Sequence, residues 1–287
     1  MDWLQALILG IIQGLTEFLP VSSSGHLIIG KELLGLKITD DVAFETAVHC
    51  ATVLSTITIL RKEIATLFLK LFKLQWNPET QYIGMLLLSM IPVMIVGLFF
   101  KKTVENFFGE GLALVGVLLL VTALLLLLAS WRERRYTLQV TSYKLQKSQI
   151  SNLKSQISNQ KNVSWANAFL IGVAQAIAVL PGLSRSGATI ATGLFVGVKK
   201  EEVAKFSFLM ALIPILGETG LDALKGGFAT AATGIPINSL LISFFAAYIC
   251  GCFACKFMIE LVKRTNLIWF ALYCSMAGIV ALIYALC

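Results

Sequence analysis

Long apolar segments dominate this sequence and leave few possible architectures. Two of them are LALVGVLLLVTALLLLLAS at 112–130 and LISFFAAYICGCFACKFMIEL at 241–261. A helix needs roughly 20 predominantly apolar residues to cross the hydrocarbon core of a bilayer. Only 14% of the residues are charged, whereas a soluble domain typically carries about 25%. We therefore predict an all-α, polytopic membrane protein.

Basic residues outnumber acidic residues, and their positions indicate an orientation in a membrane rather than a nucleic-acid partner. The net charge is +7, and most lysines and arginines fall in four segments between apolar runs. These segments are 62–80, 131–164, 198–205 and 256–264. Because cytoplasmic loops of membrane proteins carry such an excess, we predict that all four face the cytoplasm. No nucleic-acid partner is expected.

The chain consists of two related halves. Trp3 matches Trp165, and at the same offset SSSGH (22–26) aligns with SRSGA (184–188). Each half begins with an apolar segment that stops at a Pro/Ser/Gly break and resumes as a second short apolar segment. Neither piece is comfortably long enough to cross a bilayer alone. We therefore predict a re-entrant helical hairpin at the start of each half.

Three full spans follow the hairpin in each half. Because three is an odd number, the second repeat, at 163–287, must be inverted relative to the first repeat, at 1–130. The first repeat is predicted to contain a hairpin at 3–35 and spans near 42–61, 81–100 and 111–130. The second is predicted to contain a hairpin at 165–197 and spans near 203–222, 239–260 and 267–286.

A polar insertion at 131–162 separates the two repeats. It includes KSQISNLKSQISNQK at 147–161, a seven-residue polar repeat. One isoleucine per repeat cannot form a packed core. We predict a flexible cytoplasmic segment without a function of its own.

The breaks concentrate the polar chemistry of the chain. Gln13 and Glu17 lie one turn apart, so they project from the same face of a helix. The charge asymmetry places the first hairpin on the extracytoplasmic side and the second on the cytoplasmic side. Broken helices that meet near the midplane usually form a functional site. We therefore expect Arg185 to face Glu17 and His26 across a gap of phosphate size.

This combination of groups suits a phosphate or a diphosphate. The N-termini of the half-helices attract anions, and the guanidinium of Arg185 offers several donors in one plane. Hydroxyl groups and a glycine at the two breaks complete the expected binding site. The residues expected to bind substrate are Ser22, Ser24, Gly182, Ser184, Ser186 and Thr189.

The same residues can support a reaction at phosphorus. Ser22 or Ser23 can attack, or a water molecule can attack in their place, with His26 or Glu17 as the base. Glu17 with Gln13 can hold a divalent cation, Mg²⁺ or Ca²⁺, against the diphosphate. The residues expected to act in catalysis are Glu17, Ser23, His26 and Arg185.

Structural roles are alternatives for several of these residues. Serines at a helix break can cap exposed backbone groups regardless of function, and His26 can be a structural histidine. Glu45 and His49 lie one turn apart in the next apolar segment. They either line the same cavity or form structural pairs.

One known phosphatase mechanism is excluded. Lipid phosphatases related to acid phosphatases also use a Ser-Gly-His element, but they need a second histidine downstream of a Ser-Arg pair. The only histidines in this chain are His26 and His49, and both precede Arg185.

Both breaks lie within long motifs that closely resemble those of the undecaprenyl-diphosphate phosphatase family, which is also known for bacitracin resistance. The resemblance covers nearly the whole chain except about 132–162. The matching segments are QGLTEFLPVSSSGH (13–26), FETAVH (44–49), LPGLSRSGATIATG (180–193) and FSFLMALIP (206–214).

The resemblance implies hydrolysis of undecaprenyl diphosphate to undecaprenyl phosphate and inorganic phosphate, which recycles the lipid carrier of cell-wall synthesis. It also implies an inverted-repeat fold, a divalent-cation requirement and a multi-pass location in the bacterial plasma (inner) membrane. We expect the active site to open to the extracytoplasmic side. The expected partners are the polyprenyl diphosphate and the membrane, and a homodimer is left open.

The motifs of the family transfer residue by residue. Its Glu/Gln-x-x-x-Glu element falls on Gln13 and Glu17, and its serine and histidine fall on 22–23 and His26. Its Ser-Arg-Ser element falls on 184–186. The neutral amide of Gln13 shifts metal binding and base chemistry toward Glu17.

A transporter or a polyprenyl-phosphate flippase is the alternative function. Inverted repeats with broken helices are typical of secondary transporters. A drug-resistance exporter would also need energy coupling, and the sequence contains no nucleotide-binding motif.

Overall fold

The computed structural model describes residues 1–36, 42–73, 75–100, 111–146, 162–224, 235–264 and 266–286. Its elements are α-helices. In chain order they are α1 Trp3–Thr16, α2 Ser23–Leu33, α3 Val42–Ile59, α4 Arg61–Leu71, α5 Pro78–Phe99, α6 Leu112–Gln146, α7 Trp165–Ile177, α8 Arg185–Phe195, α9 Lys200–Leu224, α10 Ile237–Arg264 and α11 Ile268–Leu286.

Several of these helices can cross a membrane. Within the described ranges, α5, α6, α9, α10 and α11 are each long and apolar enough to span it. A sixth span results if α3 and α4, which are bent by 77° at their junction, count as one. Large apolar side chains such as Leu98 and Phe253 are exposed on these helices, as expected for surfaces that face lipid. The predicted all-α polytopic membrane protein is confirmed.

Two predictions about the loops are wrong. The basic segment 62–80, expected to be a loop between two spans, contains most of α4, which occupies Arg61–Leu71. Its sequence, RKEIATLFLKL, mixes charges with apolar residues, and it exposes Phe68 and Leu69, a pattern typical of a helix at a membrane surface. The second error concerns α6, which continues to Gln146 instead of ending near 130. Because 131–146 contains neither glycine nor proline, nothing in it stops the helix.

The insertion is therefore helical in its first part. Its polar repeat, 147–161, lies outside the described residues, so its predicted flexibility stays a prediction.

Each predicted hairpin is a packed pair of short helices, α1 with α2 and α7 with α8. The second helix of each pair starts in the same way. The Ser22 hydroxyl accepts the N–H of Gly25 at 3.2 Å, and the Ser184 hydroxyl accepts the N–H of Gly187 at 3.0 Å. These serines are N-caps, which satisfy backbone donors that a helix start leaves unpaired. The breaks are thus created by local capping chemistry.

Ion pairs gather the four basic segments at one end of the helix bundle. They connect α4, α6, α9 and α10, although these helices are far apart in sequence. The pairs are Lys205–Glu63 at 3.3 Å, Lys263–Glu201 at 3.0 Å and Lys200–Glu133. The four segments therefore lie close together, as a common orientation requires, and their predicted cytoplasmic location stays a prediction.

Glycines allow each hairpin to pack closely on a span of the other half. A Cβ atom at Gly10 in α1 would lie 2.5 Å from the carbonyl oxygen of Ser243 in α10. Likewise, a Cβ atom at Gly172 in α7 would lie 2.3 Å from the carbonyl oxygen of Ser89 in α5. Such distances leave no room for a methyl group, so these glycines set the separation between the helices.

We predict that Gly172→Ala destabilises the protein by about 1–3 kcal/mol, because the added methyl group must push backbone apart from backbone. Gly97→Ala is the matched control, since Gly97 also lies in a helix but has nothing within 4 Å of its added Cβ. Thermal unfolding in detergent should show a lower midpoint for Gly172→Ala alone. Equal midpoints for the two variants would contradict the close approach.

Candidate active site

The two breaks meet through an ion pair. Arg185, the first residue of α8, places Nη2 3.1 Å from Oε1 of Glu17, which follows α1. Only 9% of the Glu17 side chain and 26% of the Arg185 side chain are exposed. Nearby, the Ser186 hydroxyl donates to the carbonyl oxygen of Leu19 at 2.9 Å. The expected approach of Arg185 to Glu17 is confirmed, but the two side chains are in direct contact and no gap of phosphate size separates them. The expected approach of Arg185 to His26 is not among the contacts of that ring, which bonds to Ser22 and Tyr273.

Glu17 is the centre of the polar cluster. Its Oε2 accepts hydrogen bonds from Gln13 Nε2 at 2.9 Å and from Ser23 Oγ at 2.5 Å, while Oε1 faces Arg185. The imidazole of His49 also lies within electrostatic reach of this carboxylate. The Ser23 hydroxyl therefore points its proton at Glu17. The sequence left Glu17 and His26 open as the base. Of these two, Glu17 is the one whose side chain accepts a hydrogen bond from a serine hydroxyl.

Ser22 and Ser23 have different environments although they are neighbours. Ser22 is buried, its hydroxyl caps α2, and its φ of 69° lies in the left-handed region that non-glycine residues rarely adopt. Such strain is retained where the surroundings fix the backbone. Because the Ser22 hydroxyl is already used as a cap, the geometry favours Ser23 as the reactive serine.

His26 is held at both ring nitrogens. Its Nδ1 lies 2.8 Å from the Ser22 carbonyl oxygen, and its Nε2 lies 2.7 Å from the Tyr273 hydroxyl. Since a carbonyl can only accept, a neutral ring carries its proton on Nδ1 and accepts at Nε2 from Tyr273. The two rings also stack, with centroids 5.5 Å apart and planes at 14°. These contacts orient His26 toward α11.

Tyr273 is a residue that the sequence argument missed. It lies 247 positions from His26 and belongs to an apolar span without a recognisable motif. A tyrosine inside such a span is a signal that could have pointed to it, since the hydroxyl of a tyrosine in apolar surroundings usually finds a hydrogen-bond partner.

A polar cleft lies beside the ion pair. It is narrow and is bounded by α3, α9 and the two hairpins. The Thr189 hydroxyl contacts the Ser207 hydroxyl at 2.5 Å, deep in this cleft. Its polar lining residues are Glu17, Thr52, Thr56, Gln175, Arg185, Ser186, Thr189 and Ser207. Gln175 is buried, and within the described part of the chain its Nε2 has no hydrogen-bond partner.

Three residues that the sequence placed at the site or its cavity make structural contacts. Of the two alternatives for Glu45, the structure shows the structural pair, with Lys31 Nζ at 2.9 Å. Gly182 has a φ of 96°, a conformation that favours glycine, and its backbone packs against Val115 of α6. These two constraints explain why this position holds a glycine. Ser24 lies 3.4 Å from the hydroxyl of the N-cap at Ser22.

Ser184 also has a structural role. Besides capping α8, it donates its N–H to the Thr122 hydroxyl at 3.1 Å, which anchors the break on α6.

The amide of Gln13 leaves one buried oxygen unpaired. Its Nε2 must face the Glu17 carboxylate, which can only accept, so Oε1 points elsewhere. Among the described residues, nothing donates to this Oε1. A carboxylate beside an unpaired amide oxygen is the type of donor set that Mg²⁺ or Ca²⁺ takes together with substrate oxygens. That Gln13 and Glu17 hold the expected cation stays a prediction, because both oxygens of Glu17 already accept hydrogen bonds and no group of three or more His, Cys, Asp or Glu side chains among the described residues could hold a metal ion.

Known proteins resemble this chain along its full length. A model of the family described as bacitracin resistance protein BacA matches residues 6–280. The chain belongs to the BacA family. A relative from Bacteroides fragilis named undecaprenyl-diphosphatase is 50% identical over 284 residues, which cover 99% of this chain and 98% of the relative. Relatives of the same name from Parabacteroides distasonis and Christiangramia forsetii are 50% and 44% identical.

Coverage is equally complete for these last two BacA-family relatives. The alignment takes in 98% of both chains for the first and 99% of both chains for the second. The match therefore includes both breaks and every span, and it is not confined to one repeat.

We predict strong coupling between Glu17 and Arg185 in a double-mutant cycle. Either single change, Glu17→Gln or Arg185→Met, leaves the remaining charge without its partner, whereas the double change removes both charges. Unfolding free energies of the four proteins should give a coupling of about 1–3 kcal/mol. The exposed pair Arg264–Glu260 is the control, and its coupling should be close to zero. Equal couplings would mean that Glu17 and Arg185 do not interact specifically.

Proposed function

We propose that this BacA-family chain hydrolyses undecaprenyl diphosphate to undecaprenyl phosphate and inorganic phosphate. The observation that carries the proposal is the line of contacts from Arg185 to Glu17 to Ser23, which places an anion-binding group, a base and a nucleophile together. The names of the relatives support the same activity. The product is the lipid carrier of cell-wall synthesis, so the enzyme would recycle that carrier and confer bacitracin resistance.

The diphosphate would bind where α2 and α8 begin. The first backbone N–H groups of a helix have no partner within the helix, and the helix dipole adds a partial positive charge there. Arg185 contributes a full positive charge at the same place. The cap at Ser184 and the contacts of Ser186 and Thr189 hold this half of the site in position. These groups together support recognition of phosphate oxygens.

The proposed reaction starts at Ser23. Its Oγ attacks the terminal phosphorus while Oε2 of Glu17, 2.5 Å away, accepts the proton. The bond from the terminal phosphorus to the bridging oxygen breaks, and undecaprenyl phosphate leaves. Glu17 passes this proton to the departing undecaprenyl phosphate and so becomes a base again. It then takes a proton from the water that cleaves the serine phosphate and returns that proton to Oγ of Ser23, and inorganic phosphate is released. Phosphoryl transfer depends mainly on such positioning and on charge stabilisation.

The sequence also leaves open a second route for the reaction and a divalent cation. Direct attack by water, with Glu17 as the base, is the other route, and trapping of a phosphoserine distinguishes it from attack by Ser23. A divalent cation held by Gln13 and Glu17 would neutralise charge on the diphosphate when bound.

We also propose that the two halves form an inverted repeat in a bacterial plasma membrane, with the site opening to the extracytoplasmic side. Three reciprocal features support it. Both breaks use the same serine cap, and α1 packs on α10 while α7 packs on α5. In addition, a glycine with positive φ follows both α2 and α8, at Gly35 and Gly197.

Phosphate release from farnesyl diphosphate in detergent tests the enzyme activity directly. We expect turnover by the unaltered protein and losses of at least about 100-fold for Glu17→Ala, Ser23→Ala and Arg185→Ala, because each removes a group that acts on the reacting phosphate. A chelator should also abolish turnover, and added Mg²⁺ or Ca²⁺ should restore it.

Matched controls are Ser275→Ala and Arg264→Ala, which change the same residue types away from the site. Ser275 bonds only to the backbone of its own helix, and Arg264 is an exposed partner of Glu260. Both controls should keep normal turnover. No phosphate release by the unaltered protein would refute the enzyme and favour the transporter or flippase, because no membrane separates two compartments in detergent.

Cysteine labelling tests the inverted repeat. In a cysteine-free background, Gly35→Cys and Gly197→Cys place thiols at matching positions with nothing within 4 Å of the added Cβ. Because both glycines have positive φ, the two variants carry the same kind of backbone strain, and each must first be shown to keep its fold. A membrane-impermeant maleimide applied to intact cells should label position 35 and reach position 197 only after permeabilisation. Labelling of both from the same side would contradict the inversion.

A further inference from the structure

An apolar groove runs along α2 and α11. It encloses about 770 Å³ of space, and almost all of its lining is hydrocarbon. From His26 to Leu33, the helix rise of α2 gives it a length of roughly 10 Å. Its apolar lining residues are Ile29, Leu33, Leu112, Met276, Ala277, Val280 and Ala281.

The inner end of this groove is His26 with Tyr273, and its polar rim adds Glu32 and Tyr284. His26 lies three residues after Ser23, on the same turn of α2, and its ring bonds to the carbonyl of the Ser22 cap. The groove therefore begins one helical turn from the proposed nucleophile. An apolar space that begins one helical turn from a proposed phosphate site matches a ligand with a charged head and a hydrocarbon tail.

We propose that this groove binds the first isoprene units of the lipid diphosphate, next to the head group. The inference rests on the proposed function, because it assigns a place to the tail of that substrate. The stacked rings of His26 and Tyr273 form the point where the tail meets the diphosphate. The remaining isoprene units extend past Leu33 and Val280, whose side chains are exposed on the outer surface of the bundle, into the surrounding lipid.

Chemistry favours a polyprenyl tail over the other occupants. Acyl chains of bulk phospholipids can enter an apolar groove, but their head groups stay at the interface and have no reason to reach Ser23. A second copy of the chain would have to insert side chains between α2 and α11 and would cover the approach to His26. Only the lipid diphosphate places its charged end at Arg185 and its tail along α2 at the same time.

Binding energy from the tail should act mainly on substrate affinity. The tail is remote from the reacting phosphorus and makes the same contacts in the ground state and in the transition state. Loss of such uniform binding raises KM and leaves kcat unchanged. This split separates a tail site from a residue that takes part in the chemistry.

The test fills the groove with a larger side chain. Ala277→Phe places a ring inside it, whereas Ile279→Phe places the same ring on the exposed face of α11, outside the lining. With farnesyl diphosphate in detergent, Ala277→Phe should raise KM by about tenfold or more with kcat nearly unchanged, since several buried methylene contacts are lost. The Ile279→Phe enzyme should match the unaltered protein.

Three results would contradict binding of the tail in this groove and would leave the proposed phosphatase activity standing. They are an unchanged KM for Ala277→Phe, equal effects of the two variants, or a fall in kcat alone. A short diphosphate with one isoprene unit provides a further comparison, because its turnover should be much less sensitive to Ala277→Phe than that of farnesyl diphosphate.

Photo-cross-linking gives a readout that does not depend on turnover or on the stability of a variant. A farnesyl diphosphate with a diazirine on its first or second isoprene unit should label peptides of α2 and α11 in the unaltered protein. Excess farnesyl diphosphate should suppress the labelling, and excess phospholipid should not. Labelling confined to other helices, or suppression by phospholipid, would refute the groove even if phosphate release fails.

Discussion

The ion pair between Glu17 and Arg185 joins two half-helices that come from opposite halves of the chain. Charges at this depth are expensive unless they are paired, so each hairpin provides the partner that the other one needs. The same pair lies at the centre of the proposed active site, because Glu17 also accepts hydrogen bonds from the Ser23 hydroxyl and the Gln13 amide. In the proposed reaction, stability and reactivity depend on the same carboxylate.

Close packing of helices makes this contact possible. Gly10 and Gly172 let α1 and α7 approach the backbones of α10 and α5, so each hairpin is held by a span of the opposite half. Small residues are the usual means of close helix approach in membranes, where no hydrophobic effect drives association. Capping by Ser22 and Ser184 then fixes the residues at which α2 and α8 begin, and the two breaks meet.

Duplication of the scaffold has not duplicated the chemistry. The first break carries the carboxylate, the reactive serine and the imidazole, and the second carries the guanidinium and the hydroxyls around Thr189 and Ser207. The buried amides reflect the same division. Gln13 leaves an oxygen unpaired beside the carboxylate, and Gln175 leaves a nitrogen unpaired in the cleft, as far as the described residues show. In the proposed site, the first half would hold the cation and the second would bind the anion.

Apolar run lengths, the repeated break and the polar motifs are local properties, so the sequence by itself determined the helical membrane fold and most of the residues at the site. Helix ends were less predictable, as α4 and the extension of α6 show, because charged residues can continue a helix at a membrane surface. Only the tertiary structure decided that Ser23 and not Ser22 faces Glu17, that Glu45 pairs with Lys31, and that Tyr273 holds His26. Such contacts depend on how helices far apart in the chain rotate and pack against each other, and no periodicity within one segment contains that information.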